Sequence, residues 1–295
     1  MRIDTHHHVV PPAYADWLRS RGLAAGGLPI PDWSRESALA VMDKYDVQTA
    51  ILSVSTPGVH LGDDAEARRW AREVNEYAAN VVRDHPDRFG FFATLPLPDV
   101  EGSLRELAHA FDELNRRKAV VFVHPSQPPG LQALPGVPTF VADFLLDTTR
   151  AAIRLAASGT LDRCPDLRVI LSHAGGFVPF AAYRIAFAAS PKGNPADGLA
   201  QLQKFYFDTA LSGSPTALPS LLAFAKPGHV FYGSDWPYAP DVAVGAFTAG
   251  YESYVVDPAQ RASIDREAAE QLFPRLQLES GGKTRFSRAS VGSPT

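Results

Sequence analysis

Short apolar runs alternate with longer amphipathic stretches along the whole chain. Several of the short runs, such as Val-Val-Phe-Val before His124 and Val-Ile-Leu before Ser172, are continuously apolar and rich in β-branched residues. Strands that are buried on both faces of a parallel sheet have this pattern. We therefore predict seven strands, at residues 2–9, 49–55, 89–97, 119–124, 168–172, 205–209 and 229–233.

Helical periodicity separates these predicted strands. Residues 63–84 carry apolar side chains at a repeating spacing of three and four, including Trp70 and Val74. Similar patterns predict helices over residues 101–118 and 144–158. Alternation of strand and helix from end to end is typical of an α/β fold with a parallel sheet, and we predict a TIM-type parallel β/α barrel.

Composition narrows the class of protein. The 295 residues are 45% hydrophobic with a formal net charge of −4 and no basic run, so nucleic acid and anionic membranes are not expected partners. A single cysteine, Cys164, allows no internal disulfide, and the first residues carry no secretory pattern, so we expect a cytoplasmic protein. We assign residues 1–278 to one domain and expect a disordered tail at residues 279–295, which are rich in Ser and Gly.

Histidines end the first predicted strand. Because side chains alternate across a strand, His6 and His8 point to the same side, and His7 points away from them. Two imidazoles at this spacing can bind one metal ion together. An accidental cluster or a tag remnant is the alternative, although the three residues complete an otherwise apolar strand.

Three further strands end in residues of the same chemical type. His124 follows Val121-Phe122-Val123, His173 precedes a Gly-Gly pair, and Asp235 follows Tyr232-Gly233-Ser234. A lone histidine after a buried strand is more often structural than catalytic, but barrels place active sites where the strands end. We therefore expect the four strands to bring these side chains together. Imidazole and carboxylate ligands suit zinc, manganese or iron better than a softer thiolate site does.

The chemistry divides the roles among these residues. We predict that His6, His8, His124 and Asp235 bind a divalent metal ion and leave an open position for substrate. His173 and Asp235 are the predicted catalytic residues. The imidazole of His173 titrates near working pH and can carry a proton, and Asp235 is the other group that could carry it.

Other polar residues have a possible role in the site. Asp208 at the end of a strand is predicted either to orient a ligand or to make a buried structural hydrogen bond. Arg150, Arg184 and Trp236 are candidates for contact with a substrate carboxylate or ring, and His60 for the wall of the pocket. The arginines are equally compatible with surface positions.

The motifs His-x-His, Val-His-Pro, Ser-His-Ala-Gly-Gly and Gly-Ser-Asp-Trp-Pro resemble those of the amidohydrolase superfamily. Within it, the chain is similar to the branch that contains aminocarboxymuconate semialdehyde, γ-resorcylate and 6-methylsalicylate decarboxylases. The resemblance spans roughly residues 1–276. It implies the ligand set above, with zinc as the first expectation and manganese as the second. It also implies a homo-oligomer that decarboxylates a small aromatic or unsaturated carboxylic acid without a redox cofactor.

The chain departs from that family between residues 97 and 119. Relatives carry another strand and loop there, whereas Phe111–Lys118 here runs directly into Ala119-Val120-Val121, so one β/α unit is missing. A barrel normally has eight strands, and loss of one opens an edge or forces a closure with seven. Two alternatives to a decarboxylase stay open. One is a metal-dependent hydrolase of a lactone or amide, which the ligand set does not exclude, and the other is an inactive relative that only binds metal because the barrel lacks this unit.

Overall fold

The structure, a computed structural model, describes residues 1–99, 116, 118–128, 130–190, 193–255 and 257–277. Strands and helices alternate along this part of the chain, which confirms the predicted α/β fold. Except for residues 116 and 118, the helix predicted at 101–118 lies outside the described residues, as does the predicted tail at 279–295.

Seven strands occur in the described residues, and every hydrogen-bonded pair among them is parallel. They are β1 (Arg2–His8), β2 (Val47–Ser53), β3 (Phe89–Phe91), β4 (Val120–Val123), β5 (Arg168–Leu171), β6 (Tyr206–Asp208) and β7 (Val230–Phe231). Six of the predicted strands are recovered with shorter bounds, most clearly β3 and β7, and β2 has the predicted length but begins two residues earlier. Their apolar, β-branched composition explains why they lie in the interior.

Helices connect the strands and pack outside the sheet. They are α1 (Pro12–Ser20), α2 (Arg35–Lys44), α3 (Asp64–Asp84), α4 (Asp143–Ala157), α5 (Thr160–Arg163), α6 (Val178–Ala189), α7 (Pro195–Leu202), α8 (Ala217–Phe224), α9 (Asp241–Tyr254), α10 (Pro258–Ala262) and α11 (Ala268–Leu272). Local signals explain where several begin: Asp63 accepts a hydrogen bond from the Glu66 amide, and Ser34 forms a capping box with Ser37. Within the described part of the chain, no helix has the length and apolarity to cross a lipid bilayer.

Backbone hydrogen bonds join the two ends of the sequence within the sheet. The ladders run β1-β2-β3 and β4-β5-β6-β7, and β1 contacts the segment after β7. There the Thr5 amide donates to the Tyr232 carbonyl at 3.1 Å, and the His8 amide donates to the Trp236 carbonyl at 2.8 Å. The order around the sheet is therefore β3, β2, β1, β7, β6, β5, β4.

The remaining side, between β3 and β4, has a side-chain contact in place of a ladder among the described residues. No ladder joins these two strands in the ranges that the structure describes. Instead the ring of Phe92, just after β3, stacks on Phe122 of β4 with centroids 5.2 Å apart. This is the place where the sequence predicts the missing β/α unit. It differs from the standard barrel closure, in which hydrogen bonds join every strand to its neighbours.

The apolar core has two layers. A large cluster lies between the strands and the helices, and a smaller one lies within the ring of strands. Each of several strands contributes one buried side chain to the inner cluster, among them Ile3, Ile51, Ile170 and Phe231. Helix α11 packs against this inner cluster. The inner layer is thus a filled core, and the carboxyl ends of the strands are left to build the site.

Candidate metal centre

The first strand delivers two imidazoles to one point. His6 and His8 are fully buried, and their Nε2 atoms lie 3.0 Å apart. His7 faces the opposite side, as strand alternation predicts. There its Nδ1 lies 3.0 Å from Asp4 Oδ2, and its ring lies 5.1 Å from that of Trp236. Trp236 therefore supports β1 from behind and does not line the cavity described below.

Asp235 lies between the two imidazoles. Its Oδ1 is 3.0 Å from Nε2 of His6 and 3.0 Å from Nε2 of His8. The backbone of Asp235 has a left-handed φ of 61°, and its amide donates to the His6 carbonyl at 2.9 Å. Gly233 permits this close approach, because a Cβ there would lie 2.9 Å from the His6 Cβ.

Two more histidines, which follow strands of the four-stranded ladder, complete the cluster. His124 follows β4 and His173 follows β5. Ligand atoms of His6, His124, His173 and Asp235 all lie within 4.8 Å of one another. His173 Nε2 is 3.7 Å from Asp235 Oδ2. The structure thus brings together all five side chains that the sequence assigned to the site, including His8 through its contacts above.

Asp208, at the end of β6, connects the two sides of the cluster. Its Oδ2 lies 2.9 Å from His6 Nδ1. Its Oδ1 accepts backbone hydrogen bonds from His173 and Ala210, both at 3.0 Å. The two roles considered for Asp208 are thus combined in one carboxylate, because it orients His6 and also fixes the backbone at His173.

The electrostatics favour a charged carboxylate and a neutral His124, whereas His6 favours its protonated form when no metal is bound. Burial, together with the neighbouring His8 and His6, holds the pKa of His124 well below its ordinary value. Burial opposes ionisation of Asp235, but interactions with His173 and His6 outweigh it and hold its pKa well below the usual range. Burial likewise lowers the pKa of His6, yet Asp208 and Asp235 raise it to about 10. The negative charge of Asp208 and Asp235 around His6 would stabilise a bound cation.

This donor set fits a divalent metal ion. Imidazole nitrogens and a carboxylate oxygen are suitable ligands, and they meet in a small buried volume. His124 Nε2 is buried and has no hydrogen-bond partner among the described residues. A buried polar atom without a partner carries a large free-energy cost, and a metal bond would remove it.

A cavity of about 720 Å³ opens onto the cluster. Among the described residues, His124, His173 and Asp235 join the donor cluster to its lining. Most of the other lining residues are apolar. The lining includes six aromatic side chains, those of Phe140, Phe144, Phe177, Phe180, Tyr238 and Phe247. No lysine or arginine is found among the described lining residues. The cavity is therefore suited to an apolar ring whose charged group meets the donor cluster.

Two neighbours of the cluster were not predicted from the sequence. Ser53 ends β2, and its Oγ lies 3.0 Å from His8 Nδ1. Tyr238 follows Asp235 by three residues, and its ring lies 5.2 Å from that of His8. Burial and the nearby Asp235 carboxylate raise the pKa of Tyr238. The phase of strand alternation could have suggested Ser53, but no periodic signal covers the loop that carries Tyr238.

The two arginines considered as substrate contacts lie at surface positions, which was the alternative for them. Arg150 and Arg184 lie on exposed positions of α4 and α6, outside the cavity lining. His60 also lies outside it, with its Nε2 2.8 Å from Asp64 Oδ1. The orientation of each helix decides the positions of the two arginines, and the residue type alone does not reveal that orientation.

Comparison with known proteins identifies the family. Residues 3–117 and 108–275 match the amidohydrolase family, so the match covers nearly the whole chain in two overlapping segments. The chain belongs to the amidohydrolase family. The two segments of the match meet at residues 108–117, within the region where the sequence analysis places the missing unit of this amidohydrolase.

Curated relatives extend along the full chain. Decarboxylase yanB of Aspergillus niger is 37% identical over 334 residues, covering 96% of this amidohydrolase and 91% of the relative. A 6-methylsalicylic acid decarboxylase of Penicillium expansum is 36% identical over 314 residues, covering 94% and 97%. Both alignments are longer than the 295 residues of this chain. The relatives therefore contain residues that have no counterpart here.

Solved structures show the same fold. A structure described as amidohydrolase II is 28% identical, with a TM-score of 0.84 over 93% of this chain and 100% of the other. A dihydroxybenzoic acid decarboxylase from Polaromonas, solved with manganese and 2-nitroresorcinol, is 24% identical, with a TM-score of 0.71 over 94% and 97%. These likenesses confirm the TIM-type architecture for this amidohydrolase.

Proposed function

We propose that this amidohydrolase is a metal-dependent, non-oxidative decarboxylase of a small aromatic carboxylic acid, of the 6-methylsalicylate kind. One observation carries the proposal: a buried His/Asp cluster lies at the base of an apolar cavity large enough for a substituted benzene ring. The named activity of relatives at 36–37% identity points in the same direction.

The metal ligands in this proposal are His6, His8, His124 and Asp235. Zinc is the first choice, since three imidazoles and one carboxylate suit it, and manganese is the alternative. When bound, a divalent cation would supply positive charge for the substrate oxygens. The manganese found in the Polaromonas decarboxylase supports the alternative.

The protein side chains supply positioning and a proton. The aromatic walls pack on the substrate ring and exclude water from it. A proton carried by His173 or Asp235, whose side chains both line the cavity, is first transferred to the ring carbon that bears the carboxylate, and π electrons of the ring form the new C–H bond. His173 is the better carrier, because the pKa of Asp235 is held low. The bond between this carbon and the carboxylate carbon then breaks, and its electron pair restores the aromatic ring. Carbon dioxide and the decarboxylated aromatic compound are the products.

Carbon dioxide release tests this proposal. Protein reconstituted with zinc or with manganese is incubated with 6-methylsalicylate, salicylate and 2,6-dihydroxybenzoate, and the gas is measured. We expect release from at least the first compound, and loss of both metal and turnover in His124→Ala. His60→Ala is the matched control, because His60 lies outside the cavity lining. Opening of lactones without carbon dioxide release, or bound metal with no turnover of any compound, would contradict the proposal.

We also propose that the protein self-associates through α6. Phe180, Tyr183 and Phe187 lie along one side of this helix and are 83%, 77% and 71% exposed. Large apolar side chains grouped on a surface mark interaction sites, and a second copy is the proposed occupant. Light scattering should give at least a dimer, and Phe187→Glu should shift it towards monomer. A wild-type monomer would contradict this.

The cytoplasmic location stays a prediction, supported by the single buried Cys164.

A further inference from the structure

Tyr238 carries a polar group that the structure leaves without a partner. Its hydroxyl oxygen is buried and makes no hydrogen bond to any described residue. Folded proteins pair nearly all such groups, because an unpaired buried hydroxyl is costly. The other two orphaned atoms of the cavity lining belong to His124 and His173, which are both part of the donor cluster. Among the described residues, Tyr238 is thus the one lining residue outside the donor cluster that has an orphaned polar atom.

The position of Tyr238 is well defined. A backbone hydrogen bond of 2.8 Å from the Ala239 amide to the Asp235 carbonyl closes the turn that contains it. Its ring lines the cavity and also meets the His8 ring edge-on, with an interplanar angle of 86°. Tyr238 thus borders both the space for a ligand and the donors that would hold its charged end.

The geometry points to a specific role, which rests on the proposed function. We propose that Tyr238 is a substrate-binding residue whose phenolic O–H donates a hydrogen bond to a carboxylate oxygen of the aromatic acid held at the donor cluster. A free phenol keeps its proton up to a pH of about 10, so at neutral pH it is a donor. A carboxylate is the strongest acceptor that the acid offers, and hydrogen bonds to it are charge-assisted.

The reaction itself predicts how removal of this hydroxyl affects the kinetics. The carboxylate loses its charge as it becomes carbon dioxide, so a hydrogen bond to it weakens on the way to the transition state. The interaction therefore stabilises the bound substrate more than the transition state. Tyr238→Phe should raise KM about tenfold to a hundredfold and leave kcat unchanged or slightly higher.

Equilibrium binding tests the proposal without relying on turnover. Calorimetry on metal-loaded wild type and Tyr238→Phe would compare 2-methylbenzoate, which has the carboxylate, with 3-methylphenol, which lacks it. We expect 2-methylbenzoate to bind at least about tenfold more weakly to the variant and 3-methylphenol to bind within twofold. Tyr232→Phe is the matched control, since its hydroxyl pairs with Thr248 Oγ1 at 2.8 Å and lies outside the cavity lining.

Two results would overturn the role of Tyr238. One is equal affinity of wild type and Tyr238→Phe for 2-methylbenzoate. The other is an equal loss of affinity of the variant for 2-methylbenzoate and 3-methylphenol, together with a lower metal content, which would mean that Tyr238 only supports His8. Stability is a further readout, because removal of an unpaired buried hydroxyl should leave the thermal midpoint unchanged or higher. Binding can be measured even if no acid is decarboxylated, so failure here is distinguishable from failure of the proposed function.

Discussion

The two sides of the donor cluster are built differently. On the side of β1, β6 and β7, His6 contacts two carboxylates, and every ligand has hydrogen-bond partners within 3.2 Å. On the side of β4, all four strand residues are only partly buried, and His124 Nε2 has no partner in the described part of the chain. The second side adjoins the place where β3 and β4 lack a ladder. Most of the geometry of the metal ligands is therefore fixed by strands that lie away from the missing β/α unit.

Ligand removal on each side provides the strongest test of this difference. His6→Ala and His124→Ala should both lose bound metal. In metal-free protein, however, His6→Ala should lower the free energy of unfolding by about 3–5 kcal/mol, because Asp208 and Asp235 lose their buried partner. His124→Ala removes an unpaired imidazole and should cost much less. Urea unfolding of the two variants measures this, and equal losses would show that the two sides do not differ.

Core truncation tests the same contrast away from the ligands. Phe231 of β7 is fully buried, whereas Phe122 of β4 is only partly buried, and both pack in the inner cluster. Phe231→Ala should lower the free energy of unfolding by about 4 kcal/mol and Phe122→Ala by about 2 kcal/mol. The reverse order in chemical denaturation would show that the Phe92–Phe122 contact is a major support of the fold.

Asp208 lies at the boundary between the two sides. In Asp208→Asn the side-chain oxygen can still accept from the His173 and Ala210 amides, but an amide group replaces the oxygen that faces His6. We expect metal affinity to fall about tenfold to a hundredfold with little loss of stability. Competition with a chelator measures the affinity. Unchanged affinity would mean that Asp208 acts only as a structural anchor.

Ser53 should give the smallest effect on the well-connected side. His8 Nδ1 lies near both the Ser53 hydroxyl, at 3.0 Å, and the Ser53 carbonyl, at 3.2 Å. Ser53→Ala removes one of two acceptors, so metal affinity should fall by about threefold at most. The same chelator competition checks this. A loss as large as that of Asp208→Asn would show that the hydroxyl fixes the His8 tautomer alone.

Some parts of the site could be predicted from sequence because they follow from periodicity. Strand alternation places His6 and His8 together, and the common direction of parallel strands brings His124, His173 and Asp235 to the same end. The fold follows from the alternation of strand and helix for the same reason.

Other parts depend on geometry that no local pattern encodes. The chain leaves the predicted seventh strand early, after Phe231, because Tyr232 bonds to Thr5 in β1 and no longer follows the ladder with β6. Tyr238 lies in the loop beyond this point, and its place beside His8 depends on how that loop turns. The surface positions of Arg150 and Arg184 depend on which face of each helix packs inwards.

The aromatic mouth of the cavity bears on which step limits turnover. Phe177 lines the cavity and is itself 39% exposed. An anion must give up hydration to pass such side chains, whereas carbon dioxide and a neutral phenol need not. Departure of the products should therefore be fast, and bond cleavage or proton delivery should govern the rate. In steady-state measurements, a primary carbon-13 isotope effect on the released gas would be expressed if bond cleavage is the slow step, and a solvent deuterium isotope effect if proton delivery is.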